Sequence, residues 1–173
     1  GYPGAAICPF YDALLDAEND IRQVLVRQEA NGGHAANGYA RISGKPAVCI
    51  ATSGPGATNL ITAIATAYAD SIPIVCITGQ VNTDQIGSDV FQEADITGSA
   101  EPFVKHSYLL KDPEDTARVF KEAFYIAGTG RPGPVLIDIP MDVQKAVIDF
   151  EYPEKCEIRS YKPTTKGNYV QVR

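Results

Sequence analysis

Four short runs of the chain are apolar at nearly every position and rich in β-branched residues. They cover residues 21–27, 47–52, 72–78 and 134–139. A strand with one face in water alternates between apolar and polar residues, whereas a strand buried on both faces is apolar throughout. The four runs therefore predict strands of a mostly parallel sheet that is covered on both sides.

Helix-forming stretches lie between these runs, at residues 29–42, 57–69 and 113–127. Each is long enough to cross over from one parallel strand to the next. In the third, Asp112 can cap the first turn and Gly128 can end the helix. Strands that alternate with helices predict an α/β fold, here a three-layer Rossmann-like domain with a mostly parallel sheet covered by helices on both faces.

The domain organisation follows from where this alternation stops. Residues 80–102 show weak periodicity, which predicts a long loop with at most a short helix, and such loops are usually functional. After residue 145 the sequence becomes polar and irregular. We therefore expect one domain over residues 1–145 and a linker over residues 146–173.

Composition narrows the function classes. The 173 residues carry 15 Lys and Arg against 21 Asp and Glu, a formal net charge of −6. Nucleic-acid binding needs clustered basic residues, and none cluster here. No apolar run approaches the roughly 18 residues of a membrane span, and the first residues do not resemble a signal peptide. We expect a cytoplasmic protein that binds neither nucleic acid nor membrane.

The four cysteines, Cys8, Cys49, Cys76 and Cys156, form no CxxC pair and have no nearby set of histidines. This spacing argues against a metal site. Cys49 and Cys76 lie inside apolar runs, which predicts reduced thiols in the core.

A glycine-rich turn, TSGPGATN at residues 52–59, leads from a predicted strand into a predicted helix. Proteins with α/β folds bind ligands at such turns. A dinucleotide fingerprint would need a third glycine where Asn59 stands, and a P-loop would need Gly-Lys-Ser or Gly-Lys-Thr. The turn is therefore predicted to approach a ligand, but not through a phosphate-binding motif.

Glu29 directly follows the run VLVR, where the crevice of a parallel sheet opens. Two interpretations remain open from the local sequence. Glu29 can be a first-turn carboxylate that favours the helix dipole, or the carboxylate of a ligand site.

Several longer segments then point to one family. They are GYPGAA at 1–6, VLVRQE at 24–29, HAANGYAR at 34–41, ATSGPGATN at 51–59, IATAYADSIPIVCITGQV at 64–81, DVFQEADI at 89–96, VKHSYLL at 104–110 and GRPGPVLIDIP at 130–140. In this order they closely resemble the large, catalytic subunit of the acetolactate synthases (acetohydroxyacid synthases). The resemblance covers only that family's N-terminal thiamine-diphosphate pyrimidine-binding domain, without the helix and strand that precede GYPG in the family. FQE and GRPGP favour the biosynthetic branch that contains FAD.

The resemblance implies roles for particular residues. Glu29 would be catalytic, meeting a ring nitrogen of the cofactor's aminopyrimidine and promoting the form that removes the thiazolium proton. Gln92 would act with it near the substrate. The other implied site residues are Pro55 and Asn59 against the pyrimidine, Gly4 and Ala5 near the thiazolium, Phe91 and Lys105 in the substrate channel, and Arg131 on FAD.

The resemblance also implies partners and cofactors. The full-length enzyme would use thiamine diphosphate, magnesium and FAD to join a two-carbon unit from pyruvate to a second 2-oxo acid in branched-chain amino-acid biosynthesis. Its active site would lie between subunits of a homo-oligomer, with the C-terminal diphosphate-binding domain of a second subunit, and a small regulatory subunit is a further partner. These 173 residues alone are expected neither to bind a cofactor tightly nor to catalyse. The alternatives are the pyrimidine-binding domain of another thiamine-diphosphate enzyme and a Rossmann-like nucleotide-binding module.

Overall fold

Four parallel strands form one sheet in the computed structural model, which describes residues 1–172. The strands are β1 (Ala47–Ala51), β2 (Ile74–Gln80), β3 (His106–Leu109) and β4 (Val135–Pro140), in the order β1-β2-β4-β3. In the register, Cys49 is level with Cys76, and Cys76 with Leu136. The predicted parallel sheet is confirmed.

Helices follow or precede each strand. They are α1 (Cys8–Asp16), α2 (Glu29–Ser43), α3 (Pro55–Thr58), α4 (Ile61–Ala69), α5 (Ile96–Ala100), α6 (Thr116–Gly128) and α7 (Met141–Lys145). Short 3-10 turns occur at Ala5–Ile7, Thr83–Gln85, Glu101–Phe103 and Pro113–Asp115. The segment 80–102 is a long loop with only short helical pieces, as predicted.

Two apolar clusters lie on opposite faces of the sheet. Cys76 of β2 belongs to the first, with residues of α2, α4 and α5. Its neighbours Val75 and Ile77 belong to the second, with residues of α6. Because alternate side chains of a strand leave opposite faces, β2 and β4 are buried throughout. The three-layer α/β prediction is confirmed, and Cys49 and Cys76 are buried free thiols as expected.

The predicted strand at 21–27 is wrong. The segment is extended, but its backbone bonds go to Gly1: the amide of Val26 donates to the Gly1 carbonyl, and the Gly1 amine donates to the Val24 carbonyl. The amide of Tyr2 in turn donates to the carbonyl of Ile50 at the edge of β1. The first residues therefore occupy that edge, and Val24 is 58% exposed.

The second predicted helix, 57–69, is two helices. It begins earlier, as α3, and breaks before α4 because the amide of Leu60 bonds to the carbonyl of Ala57, only three residues back. α2 and α6 lie close to their predicted bounds. Asp112 caps as predicted, accepting from the amide of Glu114 at 3.0 Å, although the first turn is 3-10.

The small residues of α2 and α4 allow these helices to pack closely. A Cβ on Gly33 would lie 2.5 Å from the Cβ of Ala63. A larger residue at either position would push the helices apart. Packing between α2 and α4 inside the domain therefore explains some of their small residues.

Residues 146–172 form neither helix nor strand. Ile158 and Tyr161 of this segment nevertheless pack against the second apolar cluster. The segment thus follows the domain surface, and its role as a linker stays a prediction.

Candidate functional site

Glu29 is the first residue of α2 and is only 8% exposed. The residue before it, Gln28, is extended and caps the helix: its side-chain oxygen accepts from the amide of Asn31 at 3.0 Å. Capping by Gln28 leaves the Glu29 carboxylate available for other contacts.

Asn59 makes the polar contact to Glu29. Its Nδ2 donates to Oε2 of Glu29 at 3.0 Å. Asn59 lies at the break between α3 and α4 described above, which lets its side chain reach the start of α2. The structure therefore brings together two residues that the sequence assigns to one site.

Glycines lie beside Oε1, the second carboxyl oxygen of Glu29. A Cβ on Gly56 would lie 3.4 Å from Oε1 of Glu29 and 2.7 Å from Cγ2 of Thr52. Gly54 has a φ of +56°, which favours glycine. The glycines of the 52–59 turn thus let backbone pass close to the carboxylate, and Oε1 accepts no hydrogen bond from residues 1–172. Pro55, between them, is exposed at the same turn.

Thr52 is a site residue that sequence reasoning did not single out. Its Oγ1 is buried and has no hydrogen-bond partner among the described residues, although buried hydroxyls are nearly always paired. A Cβ on Gly4 would lie 2.5 Å from Cγ2 of Thr52. The signal in the sequence was its position directly after β1, at the carboxyl end of the strand.

Gly4 and Ala5 reach this edge across the end of β2. A Cβ on Gly79 would lie 2.2 Å from the carbonyl oxygen of Ala6, so only glycine permits the crossing. The same carbonyl accepts from Nε2 of Gln144 at 2.7 Å. Gly4 therefore lies with Thr52, as the site prediction requires, and Ala5 beside it is exposed.

The loop between β2 and α5 brings Gln92 to the glycine-rich turn. A Cβ on Gly54 would lie 2.7 Å from the carbonyl oxygen of Gln92. Gln92 has a φ of +60°, unusual for a residue with a side chain. Such strain persists only where surrounding contacts fix the backbone. Phe91, next to it, is 87% exposed.

Lys105 lies at the other end of the sheet, just before β3. Its Nζ donates to the carbonyl of Thr129 at 2.7 Å, to the hydroxyl of Tyr161 at 3.0 Å and to the carbonyl of Ile126. These contacts cap the end of α6 and attach the segment 146–172. The structure does not bring Lys105 to Glu29, and its role in a substrate channel stays a prediction.

Arg131 also lies at the amino ends of the strands, before β4. Its Nε donates to Oγ of Ser71 at 2.8 Å, and its Nη2 donates to the carbonyl of Tyr68 at 3.2 Å. Arg131 is exposed. It is not part of the Glu29 cluster, and its contact with FAD stays a prediction.

Within residues 1–172, no three side chains of His, Cys, Asp or Glu lie close enough together to hold a metal ion. Over the same residues, no helix is both long and apolar enough to span a membrane. The contacts described above bring together the polar side chains of Glu29, Asn59 and Thr52 with the glycines of the turn.

A protein-family model matches the first part of the chain. Residues 1–99 match the family described as "Thiamine pyrophosphate enzyme, N-terminal TPP binding domain". This span contains Glu29, the glycine-rich turn and Gln92. It ends before Lys105 and Arg131.

Whole-chain relatives have similar names. The chain is 53% identical over 173 residues to the acetolactate synthase of Mycobacterium bovis, and 53% identical over 176 residues to the probable acetolactate synthase large subunit of Methanocaldococcus jannaschii. The large subunit of Buchnera aphidicola subsp. Schizaphis graminum is 53% identical over 175 residues. Each alignment covers 100% of this chain but only 28% to 30% of the relative.

Proposed function

Because this chain belongs to the thiamine pyrophosphate enzymes, as their N-terminal TPP binding domain, we propose that it is the pyrimidine-binding part of an acetolactate synthase. Support comes from the identity of 53% over the whole chain to proteins of that name. The chain spans less than a third of those relatives, so the activity is proposed for the full-length protein.

The residues present fit a planar, nitrogen-containing ring. Glu29, only 8% exposed, offers its carboxyl oxygen Oε1 beside Gly56, and Thr52 offers a buried hydroxyl that no described residue satisfies. Pro55, Asn59 and Gly4 border the same region. When bound, thiamine diphosphate supplies the carbon nucleophile that adds to the carbonyl of a 2-oxo acid.

The single observation that carries the proposal is the asymmetry of the Glu29 carboxyl. Oε2 accepts a hydrogen bond from Asn59 Nδ2, which can only donate. Oε1 accepts no hydrogen bond from residues 1–172, so it is the carboxyl oxygen left to exchange a proton with a ring nitrogen of a ligand. A glutamine at this position could form a hydrogen bond but could not transfer the proton.

We extend the proposal to the other ligands that the family resemblance implies. Because no metal-binding cluster occurs within residues 1–172, we assign the magnesium and the diphosphate to another part of the protein, the C-terminal domain of a second subunit in a homo-oligomer. Arg131, exposed at the amino end of the sheet, is our candidate for FAD. The full-length protein would act in the cytoplasm, with a small regulatory subunit as a further partner.

The proposed reaction is decarboxylation of pyruvate followed by transfer of the two-carbon unit to a second pyruvate or to 2-oxobutyrate. Gln92, Phe91 and Lys105 are our candidates for contacts with the 2-oxo acids. Of the three, Gln92 has the strongest support, because its backbone lies against Gly54.

Glu29→Gln in the full-length protein tests the proposal. We expect acetolactate formation at saturating thiamine diphosphate to fall about 10²–10⁴-fold, as is typical when a positioned proton-transfer group is removed. The control is Glu18→Gln, since Glu18 is exposed and far from the turn in sequence. Near-equal rates for wild type and Glu29→Gln would reject the assignment of Glu29, and absence of acetolactate from the wild type would reject the proposed reaction.

A further inference from the structure

A buried carboxylate in the middle of the sheet has no role in the proposed site. Asp138 of β4 is 1% exposed, and within residues 1–172 it forms no ion pair. Burial raises its pKa to about 7, although hydrogen bonds from Thr78 and Gln80 act in the opposite direction. An apolar residue would avoid the free-energy cost of burying this group. The position of Asp138 therefore calls for an explanation.

Asp138 holds the side chain of Gln80 at the end of β2. Gln80 Nε2 donates to Oδ2 of Asp138 at 2.9 Å, while Thr78 Oγ1 donates to Oδ1 at 2.6 Å. Gln80 Oε1 accepts from the amide of Val81 at 2.9 Å. With both ends of its amide bound, Gln80 is fixed in one orientation.

Gln80 also forms a hydrogen bond with the loop between β2 and α5. The same Nε2 donates to the carbonyl of Ala94 at 2.8 Å. Ala94 is two residues from Gln92, whose strained backbone lies against Gly54. Gln92 is thus held from both sides, by the glycine-rich turn and by the Asp138–Gln80–Ala94 linkage.

The rest of the loop is also restrained. The carboxylate of Glu93 accepts from the amide of Val90 at 3.2 Å and from the amide of Gly87. The Gly87 contact is the main reason why the pKa of Glu93 is lowered. These bonds connect the two parts of the loop to each other, and its end at Ala94, two residues from Gln92, is held by Gln80.

We propose that Asp138 is a positioning residue, which through Gln80 and Ala94 fixes the loop that carries Phe91 and Gln92 beside the glycine-rich turn. The statement that this loop contacts a 2-oxo acid substrate rests on the proposed function. The Asp138–Gln80–Ala94 linkage is independent of that function. Because Glu29 and Asn59 lie outside this linkage, its loss should affect use of the 2-oxo acid and not the affinity for thiamine diphosphate.

Four variants of the full-length protein separate positioning from general stability. Asp138→Leu and Gln80→Met remove the linkage. Asp138→Asn keeps it, since the amide nitrogen can donate to Thr78 Oγ1 and the amide oxygen can accept from Gln80. Thr78→Val is the matched control, because it removes a buried hydrogen bond of Asp138 and leaves the linkage to Ala94 intact.

We expect Asp138→Leu and Gln80→Met to raise the KM for pyruvate about tenfold, since small misplacements of binding groups reduce rates strongly. Their apparent affinity for thiamine diphosphate should stay at the wild-type value, and Asp138→Asn and Thr78→Val should keep the wild-type KM. An unchanged KM for pyruvate in Asp138→Leu or Gln80→Met would overturn the proposal. So would a loss of affinity for thiamine diphosphate as large as the rise in KM. If Asp138→Leu does not fold, Gln80→Met decides.

Hydrogen–deuterium exchange on the same proteins tests the linkage independently of activity. Removing it should speed exchange in peptides covering residues 87–95 and leave residues 55–60 protected. If the wild type forms no acetolactate, the proposed function fails while this measurement still decides the linkage. Unchanged exchange at 87–95 in Gln80→Met would overturn it.

Discussion

The two ends of the sheet use their polar residues differently. At the carboxyl end, Thr52 keeps a buried hydroxyl without a partner among the described residues, and Oε1 of Glu29, beside Gly56, accepts no hydrogen bond from them. At the amino end, the ammonium group of Lys105 has three protein acceptors, and Arg131 binds Ser71 and Tyr68. Glu29 and Thr52 at one end thus have polar atoms without a partner among the described residues, whereas the charged groups of Lys105 and Arg131 at the other bind residues of the domain.

The glycines show the same contrast. At the carboxyl end they bring backbone against backbone, as where Gly79 meets the carbonyl of Ala6. At the amino end, a Cβ on Gly133 would meet only the side chain of Lys105, at 3.0 Å. A flexible side chain can move aside and backbone cannot, so the carboxyl end is the more tightly specified of the two.

The largest effect we predict comes from testing this contrast with alanine. Gly79→Ala should destabilise the protein by more than about 4 kcal/mol, because the new methyl group overlaps the Ala6 carbonyl. Gly133→Ala should cost less than about 1 kcal/mol, because Lys105 can shift. Denaturant unfolding of both variants measures the difference, and equal losses would contradict it.

A smaller effect should follow from the buried carboxyl of Asp138. Its pKa of about 7 lies above the ordinary value of 3.8, so between these pH values the folded state binds more protons than the unfolded state. The contribution of Asp138 to stability is therefore fully present below about pH 4 and is lost as the pH rises to about 7. We expect a loss of about 2 kcal/mol, half of what the full pKa difference would give.

Asp138→Asn isolates this contribution. The variant should be more stable than wild type at pH 8 and no more stable at pH 4, as measured by calorimetry. Asp149→Asn, at an exposed position, should follow the wild type. If Asp138→Asn lost stability by the same amount as wild type over this pH range, the assignment to Asp138 would be wrong.

At the amino end, Lys105→Met should reduce stability by about 1 kcal/mol, since it removes a partly exposed cap of α6. Tyr161→Phe disturbs the same cluster and is the matched control. The proposed contact of Lys105 with a 2-oxo acid predicts that Lys105→Met, but not Tyr161→Phe, raises the KM for pyruvate in the full-length protein. An unchanged KM in Lys105→Met would contradict that contact and leave Lys105 only its role as a cap of α6.

The smallest expected signal is the heat of cofactor binding to the 173-residue chain alone. Its contacts would be limited to the pyrimidine end of the cofactor, and the entropy lost on association would offset most of so small a contact. Calorimetric titration with thiamine diphosphate and magnesium should show no micromolar affinity. A micromolar or tighter dissociation constant would mean that the chain also holds the diphosphate.

Pattern alone was enough for the central elements. β2 and β4 are continuous apolar runs because both their faces are buried, and β1 is equally apolar although Val48 is 42% exposed. The 3-10 turn that leads into α6 carries its capping residue, Asp112, in the sequence. The edge strand β3 was missed, because its residues HSYL are only partly buried and form no apolar run. The prediction of a strand at 21–27 failed for the opposite reason: the run is apolar, but its apolar residues lie exposed beside Gly1.

Some residues of the candidate site could likewise be predicted from the sequence, and others could not. Glu29, Asn59 and the glycines of the 52–59 turn could be found, because they carry the family resemblance and the turn follows β1. The free hydroxyl of Thr52 and the Asp138–Gln80–Ala94 linkage could not, since each depends on contacts between residues far apart in sequence. Where Lys105 and Arg131 lie depends on which end of a strand each of them adjoins. This end can be identified only when the directions of the strands are known.

The most direct test of the central claim is exchange of the thiazolium ring proton of thiamine diphosphate on the full-length protein, followed by NMR in deuterium oxide. The account predicts fast exchange in wild type and in Glu18→Gln, and a rate about 10²–10⁴-fold lower in Glu29→Gln. Equal exchange rates in wild type and Glu29→Gln would contradict the claim that Glu29 is the proton-transferring group of this site.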